Sequence, residues 1–320
     1  MIPVRPVGQL RHARSGSRLS QALPSRARPR GSEPLQLLFE GPADPTSAAP
    51  VWAVRAGLPA DLRDAYGGEL SIPLRADRSI VIANFVESVD GAVALDRSGL
   101  TGGGAISGYS PTDRFVMGLL RAMADVILIG AGTVRSSTVS GWTPGRAHPP
   151  AANAYRELRR RLGLAPEPST LIVTASGDLD PRHPAFGVVD APLTLVGPAR
   201  AARRLRAARF PGHVRIESLG AGEVVSPKAL LGLAGRLGAR VVLCEGGPHL
   251  LAGLAGAGLV DELFLTLAPQ LVGRDEESHR LALLEGVALW PERAGWAKLV
   301  SVRRAGDHLF LRYRLSEEES

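Results

Sequence analysis

The chain has 320 residues, of which 45% are hydrophobic and 5% aromatic, and its formal net charge is +7. A single cysteine, Cys244, excludes an intramolecular disulfide framework and a multi-cysteine metal site within one chain. The sequence contains no run of about 18 apolar residues and no N-terminal secretory signal, so we expect neither a membrane span nor export and place the protein in the cytoplasm.

The N-terminal residues carry the whole excess of positive charge. Residues 1–32 contain seven arginines and no acidic residue, and basic and acidic residues are equal in number in the rest of the chain. Residues 1–34 have too few large apolar side chains to offset the entropy lost on ordering, so we predict a disordered basic tail. A transit peptide and a nucleic-acid-binding arm remain open for this segment.

The first predicted elements lead to a buried strand that ends in polar residues. Residues 35–78 form a lead-in segment with a short helix at 61–66, and the strand covers 80–86. Glu87-Ser88-Val89-Asp90-Gly91 follows it, where a site would lie. Asp90 before Gly91 is also ordinary turn chemistry. The glycine-rich loop at 99–108 is flexible enough to serve as a lid over a ligand, or it is a flexible connection with no such role.

A helix and a glycine turn come next. Ser110-Pro111-Thr112-Asp113 is typical of a helix start, and the buried stripe of this helix contains Phe115, Val116, Leu119, Leu120 and Met123. Arg121 lies off that stripe, so we expect it to be free for solvent or for a ligand anion. A strand at 126–129 then runs into Gly130-Ala131-Gly132-Thr133.

The pattern after this turn alternates between strands and helices. We predict helices at 151–162, 199–208 and 227–237, and strands at 170–174, 193–196, 241–244, 262–268, 297–303 and 308–314. The last two strands form a hairpin through Ala305-Gly306-Asp307. This order predicts an α/β fold with a doubly wound, mostly parallel sheet and antiparallel strands at its C-terminal end.

The sequence at 240–273 is the most informative stretch for function. The apolar strand 241–244 ends in Glu245-Gly246-Gly247-Pro248, which opens a helix. Free N–H groups and the helix dipole would favour an anion such as a pyrophosphate at that turn. A tight strand-to-helix turn needs glycine in any case, but Glu245 places a carboxylate where open α/β sheets bind ligands.

Five segments together resemble the pyrimidine reductase of riboflavin biosynthesis. They are Ser88-Val89-Asp90-Gly91, the stretch 120–134 with its Gly130-Ala131-Gly132-Thr133 turn, Glu245-Gly246-Gly247-Pro248, and the segments 258–263 and 268–273. The likeness implies a dihydrofolate-reductase-like fold for residues 79–316, usually a homodimer, and use of NADPH to reduce the ribosyl group of 5-amino-6-(5-phosphoribosylamino)uracil to ribityl.

The resemblance also implies which residues form the site. The cofactor would be held by Gly130, Gly132, Thr133, Thr174, Ser176, Gly246, Gly247, Pro248, His249 and Leu250. The substrate would be held by Asn84, Ser88, Gly103, Arg121 and Glu245. The proton donor stays open between Asp90, Glu245 and a bound water. No metal is implied, because the nicotinamide carries the redox step.

Two departures from the family pattern keep other functions open. Many members have lysine where Asn84 stands, and an acidic pair with proline where this chain has Arg135-Ser136-Ser137-Thr138. A deaminase domain with its zinc signature is not expected in a chain with one cysteine. The alternatives are an NADPH-dependent reductase of a pterin or of another carbonyl or imine, and an NADPH-binding protein without catalysis.

Overall fold

A computed structural model gives the fold. It describes residues 32–42, 57–95, 103–138, 140–274, 280–289, 291 and 295–315. Of the predicted basic tail, only 32–34 fall within these residues, and the first part of the glycine-rich loop, 99–102, lies outside them. No helix in the described part of the chain is long and apolar enough to cross a membrane.

The strands and helices follow the chain in alternation. The strands are β1 (Gln36–Glu40), β2 (Ile80–Ser88), β3 (Ala94–Leu95), β4 (Val126–Gly130), β5 (Ser169–Val173), β6 (Leu193–Gly197), β7 (Val214–Ser218), β8 (Val241–Cys244), β9 (Glu262–Ala268), β10 (Arg280–Leu281), β11 (Ala297–Ala305) and β12 (His308–Leu315). The helices are α1 (Ala60–Tyr66), α2 (Gly103–Ile106), α3 (Pro111–Met123), α4 (Ala131–Arg135), α5 (Pro144–Ala147), α6 (Ala152–Arg161), α7 (Ala199–Ala207), α8 (Pro227–Arg236) and α9 (Pro248–Gly256).

Within the described residues, ten strands form one sheet in the order β1-β11-β12-β9-β2-β8-β4-β5-β6-β7. The strands from β9 to β7 are parallel, and β12, β11 and β1 extend the sheet in antiparallel fashion. The predicted fold class is therefore confirmed. β3 and β10 form a separate two-stranded sheet.

Hydrophobic residues cover both faces of the parallel strands. Successive side chains of a strand point to opposite faces, and in β2 Ile82 packs in one core cluster while Val81 packs in the other. α3 contributes Leu119 to the first cluster, and α8 contributes Leu230 to the second. The central parallel strands, such as β2, β4 and β8, are thus buried on both sides, which accounts for the continuous apolar runs in the sequence.

The predicted elements match the observed ones apart from a few additions. The hairpin β11–β12 pairs Ala305 with His308 across the predicted turn, where Gly306 has a φ of 54°. β7, the short helices α2, α4 and α5, and the β3–β10 pair are not predicted. β1, in the predicted lead-in segment, joins the main sheet by pairing with β11.

A buried ion pair joins two strands of the antiparallel part. The Arg312 guanidinium on β12 donates to both carboxylate oxygens of Glu262 on β9, at 2.8–3.0 Å, and also to the Ser71 carbonyl at 2.7 Å. Glu262 is only 1% exposed. Burial raises the pKa of its carboxyl group, and the neighbouring Arg312 opposes that rise.

Candidate functional site

A cavity of about 580 Å³ lies beside the carboxyl ends of β2, β4 and β8, the edge at which open α/β sheets bind ligands. Ala94, Leu95 and Leu281 of the small β3–β10 sheet form part of its wall. Nine of the predicted site residues line the cavity: Asn84, Gly103, Arg121, Gly132, Thr133, Glu245, Gly247, Pro248 and His249.

One face of α3 forms a wall of this cavity. Asp113, Met117 and Arg121 are spaced four residues apart, so their side chains lie in a row on one face, and all three line the cavity. The predicted apolar stripe is buried on the opposite side of the helix. Of the two alternatives for Arg121, exposure to solvent is wrong, because its side chain is buried at the cavity wall, and contact with a ligand stays a prediction.

Arg121 and Glu245 form a buried ion pair at the cavity wall. The Arg121 Nε donates to Oε2 of Glu245 at 2.8 Å and to Oε1 at 3.1 Å, and Nη2 lies 2.7 Å from Oε2. The two side chains are 6% and 5% exposed. The remaining nitrogen, Nη1, donates to the Thr143 carbonyl at 3.4 Å. The guanidinium is thus already neutralised by a carboxylate of the same chain.

A second buried arginine holds the end of α3 that carries Arg121. The Arg159 guanidinium on α6 donates to the carbonyls of Arg121, Ala122 and Ala124 at 3.3, 3.2 and 2.7 Å. These carbonyls lie at the C-terminal end of α3, where a cation is favoured by the helix dipole. Burial lowers the pKa of Arg159 to about 10, so the group stays charged at neutral pH.

The two glycine turns meet at the cavity. A Cβ at Gly246 would lie 2.3 Å from the Gly130 nitrogen, so glycine is required there for the contact between the turns. Gly247 has a φ of 48°, and its N–H donates to the Thr133 hydroxyl at 2.9 Å. Part of this glycine pattern is therefore structural, and the Gly247 N–H predicted to face a pyrophosphate has a partner within the chain.

Ser88 and Asp90 lie outside the cavity lining and stabilise a turn. The Ser88 hydroxyl donates to Asp90 at 2.6 Å, and the N–H groups of Val272 and Gly273 donate to the same carboxylate at 3.2 and 2.6 Å. These hydrogen bonds, the one from Ser88 foremost, lower the pKa of Asp90 to about 2. A carboxyl group that is ionised at neutral pH does not suit the proposed role of proton donor.

Five of the predicted cofactor residues also lie outside the cavity lining: Gly130, Thr174, Ser176, Gly246 and Leu250. The Thr174 hydroxyl accepts from the Gly177 N–H at 3.0 Å, and the Ser176 hydroxyl accepts from the Asp178 N–H at 3.2 Å. Both side chains thus hold the loop after β5. Leu250 packs against the core on the α9 side of the sheet.

Several cavity residues escaped the sequence analysis as site candidates. Asp113 was taken only as part of a helix start, while Trp142 and Met117 were not singled out. Ser136 and Ser137, noted as a departure from the family pattern, line the cavity as well. The four-residue spacing of Asp113, Met117 and Arg121 was the available signal, since it marks a second face of α3.

Asp113 differs from Glu245 in its surroundings. Its side chain is buried, and the hydroxyls of Thr266 and Ser107 hydrogen-bond to it. Desolvation by burial raises the pKa of the Asp113 carboxyl group, and the two hydroxyls only partly oppose this rise. In the described part of the chain no arginine or lysine forms an ion pair with Asp113, whereas Glu245 is ion-paired with Arg121.

Comparison with known proteins identifies a family and several structural relatives. The model of the RibD C-terminal domain matches residues 79–289. A pyrimidine reductase-like protein from Corynebacterium diphtheriae is 20% identical, with a TM-score of 0.59, over 75% of this chain and 93% of that one. No curated protein sequence matches the chain.

This chain spans less than two thirds of the length of two other similar proteins of known structure. One is a diaminohydroxyphosphoribosylaminopyrimidine deaminase/5-amino-6-(5-phosphoribosylamino)uracil reductase from Thermotoga maritima, 18% identical, with a TM-score of 0.55, over 75% of this chain and 57% of that one. The other is RibD from Acinetobacter baumannii, 20% identical, with a TM-score of 0.53, over 76% of this chain and 59% of that one. At these identities the structures establish a shared fold.

Proposed function

Because the chain belongs to the RibD C-terminal domain family, we propose that it is an NADPH-dependent reductase that converts 5-amino-6-(5-phosphoribosylamino)uracil to the ribityl product. The observation that carries this proposal is the cavity between the two glycine turns, with the Arg121–Glu245 pair in its wall. Its volume of about 580 Å³ lies within the usual range of small-molecule sites.

The residues at the turns fit a nicotinamide dinucleotide. A Cβ at Gly132 would meet no atom within 4 Å, so the α4 backbone is open to the cavity. The N-terminal end of α9, which begins at Pro248, also lines the cavity, and helix N-termini favour phosphate groups. We propose that Gly132, Thr133, Gly247, Pro248 and His249 hold the cofactor. When bound, NADPH supplies a hydride for the reduction.

Gly130, Gly246 and Leu250 would support the cofactor site from behind, through the contact between the turns and the packing of α9. The loop after β5, with Thr174 and Ser176, remains a proposed contact for the distal part of the cofactor. These assignments rest on the family resemblance. The hydrogen bonds of the loop show only how its shape is maintained.

The substrate side would comprise Asn84, Gly103, Arg121 and Glu245. Because Arg121 binds Glu245 through Nε and Nη2, we propose that the two act on the substrate as a unit. Arg121 fixes the position of the Glu245 carboxylate, and the carboxylate contacts the sugar. Ser88, which was predicted to bind substrate, would instead maintain the turn after β2.

The wider organisation is part of the same proposal. We propose that residues 79–316 form the reductase domain and that it works as a cytoplasmic homodimer on a small-molecule substrate. The family match begins at Ser79, one residue before β2. The lead-in segment 35–78 and the basic tail would not take part in the reaction.

One observation favours a different acceptor. Asn84 lines the cavity from β2, at a position where many members of the family carry lysine. An amide cannot supply the positive charge of that lysine. A reductase of a pterin or of another carbonyl or imine is therefore the second candidate, with the same cofactor and the same cavity.

The test is the loss of reduced-nicotinamide absorbance when protein, NADPH and 5-amino-6-(5-phosphoribosylamino)uracil are mixed. We expect oxidation that requires the pyrimidine and produces the ribityl compound, with a reaction lacking acceptor as control. Turnover of dihydropterins or simple imines, in preference to the pyrimidine, would favour the second candidate. Cofactor binding with no turnover of any acceptor would contradict both.

A further inference from the structure

The two buried carboxyl groups of the cavity lie in opposite electrostatic environments. Three contacts of 2.7–3.1 Å hold Glu245 in an ion pair with Arg121. Among the described residues, the hydroxyls of Thr266 on β9 and Ser107 before α3 hydrogen-bond to the Asp113 carboxyl group. Carboxyl groups whose environments differ in this way commonly divide acid and base roles in one active site.

The groups that face Asp113 act on the pKa of its carboxyl group in both directions, and the net effect raises it. Burial is the largest influence and raises the pKa of its carboxyl group. The nearby Glu245 carboxylate acts in the same direction, while the hydroxyls of Thr266 and Ser107 and the charge on His308 of β12 oppose it. The His308 ring itself contacts the Ser107 carbonyl at 3.0 Å, so it is held beside this group.

Asp113 also lies at the wall of the cavity, where a bound substrate would be within reach of its carboxyl group. It lines the cavity in one row with Met117 and Arg121, so the row places it on the same wall as the Arg121–Glu245 pair. The proposed function assigns no role to Asp113. We propose that Asp113 is the general acid that protonates the ring oxygen of the ribosyl group as the bond between that oxygen and C1′ breaks.

This role of Asp113 rests on the proposed function. The proton of Asp113 passes to O4′, the electron pair of the C1′–O4′ bond goes to that oxygen, and a 4′-hydroxyl forms. The amine nitrogen donates its lone pair to C1′ and becomes an iminium, whose positive charge the Glu245 carboxylate stabilises. The hydride that C1′ needs would be supplied by NADPH, which would be oxidised, when the cofactor is held at Gly132 and Gly247. Water returns a proton to Asp113.

The experiment compares pH profiles of the wild-type enzyme and Asp113→Asn. We expect Asp113→Asn to lower kcat by roughly 100-fold or more, the usual scale of general acid catalysis. The wild-type kcat should fall as the pH rises through the pKa of Asp113, and this limb should be missing in the variant. NADPH affinity, followed by the fluorescence of the cavity residue Trp142, should stay within about twofold.

Two further variants separate this role from a structural one. Asp64→Asn makes the same change at a side chain of α1 that is 78% exposed, and it should behave as the wild type. Thr266→Val removes a hydrogen bond that lowers the pKa of Asp113, so the alkaline limb should move to higher pH with the maximal kcat largely retained. Infrared difference spectra should show a protonated carboxyl group at neutral pH that Asp113→Asn lacks.

The possible results are distinct. Wild-type turnover together with an Asp113→Asn kcat within about threefold of the wild type, or an unshifted alkaline limb in Thr266→Val, would overturn the assignment and leave the proposed function standing. Absence of wild-type turnover would overturn the proposed function, and the role of Asp113 with it. If Asp113→Asn does not fold, Thr266→Val and the infrared spectra of the wild type decide.

Discussion

Two buried arginine–glutamate pairs of nearly equal geometry occur in different parts of this molecule. Arg121–Glu245 joins α3 to the turn after β8, and Arg312–Glu262 joins β12 to β9. In both, the guanidinium binds the carboxylate at 2.7–3.1 Å, and neither glutamate side chain is more than 5% exposed. Only Arg121–Glu245 lies in the wall of the cavity.

The difference shows that a buried ion pair is not in itself a functional signal. Arg312–Glu262 connects the antiparallel strands β12 and β9 by a diagonal contact within the sheet. The Arg312 guanidinium also donates a hydrogen bond to the Ser71 carbonyl. Arg121–Glu245 lies where parallel strands end and glycine turns leave space for a ligand. Position relative to the sheet edge, rather than burial or pairing, distinguishes the two.

The largest expected effect comes from breaking the pair that lies away from the cavity. Glu262→Ala leaves the Arg312 guanidinium buried without its carboxylate, and removal of one partner of a buried pair costs about 3–5 kcal/mol. Urea unfolding should report a loss of this size. The specific activity of the protein that remains folded should not change, and a large fall in kcat would contradict the distinction between the pairs.

Replacing both partners of each ion pair tests whether the pair serves turnover or only the fold. Arg121→Met with Glu245→Leu, and Arg312→Met with Glu262→Leu, remove both charges, and such replacements are often neutral for stability. We expect the cavity variant to lose roughly 100-fold or more in kcat/KM. The variant at β9–β12 serves as the matched control and should retain turnover. Equal losses in the two variants would show that pairing matters only for the fold.

The smallest effect is expected at Asp90, which lies near the end of β2 but outside the cavity lining. Its folded pKa of about 2 is below its ordinary value near 3.8, so the stability it contributes is present above the ordinary value and is lost as the pH falls toward 2. Asp90→Asn should lower the urea midpoint slightly at pH 7, and the difference should shrink below about pH 4. A difference independent of pH would contradict this account.

The fold could be predicted largely because the apolar runs are continuous. Runs such as 80–83 and 241–244 become parallel strands that are buried on both faces, and glycine turns mark where they end. β7 escaped prediction because its pattern is mixed, with Arg215, Glu217 and Ser218 exposed at the sheet edge. The pairing of β1 with β11 depends on contacts between distant segments, which no local pattern encodes.

The sequence predicts nine of the residues that line the cavity, and it also names residues that lie outside the lining. Glu245 and Gly132 lie at strand ends, where the topology alone directs residues to the cavity. Arg121 was placed on a free face because one apolar stripe was assumed to be the only buried side of α3. Asp90 is a reasonable candidate from its position, but the hydrogen bonds that it accepts from Val272 and Gly273 come from a loop that is distant in sequence.

We propose that the cavity beside Gly132 holds NADPH, and a calorimetric titration of two leucine variants tests this proposal. Gly132→Leu projects a side chain into open space within the cavity, and Gly235→Leu makes the same change on the exposed surface of α8. We predict that NADPH affinity falls at least about tenfold in Gly132→Leu and is unchanged in Gly235→Leu. Equal affinity in Gly132→Leu and the wild type would contradict the claim.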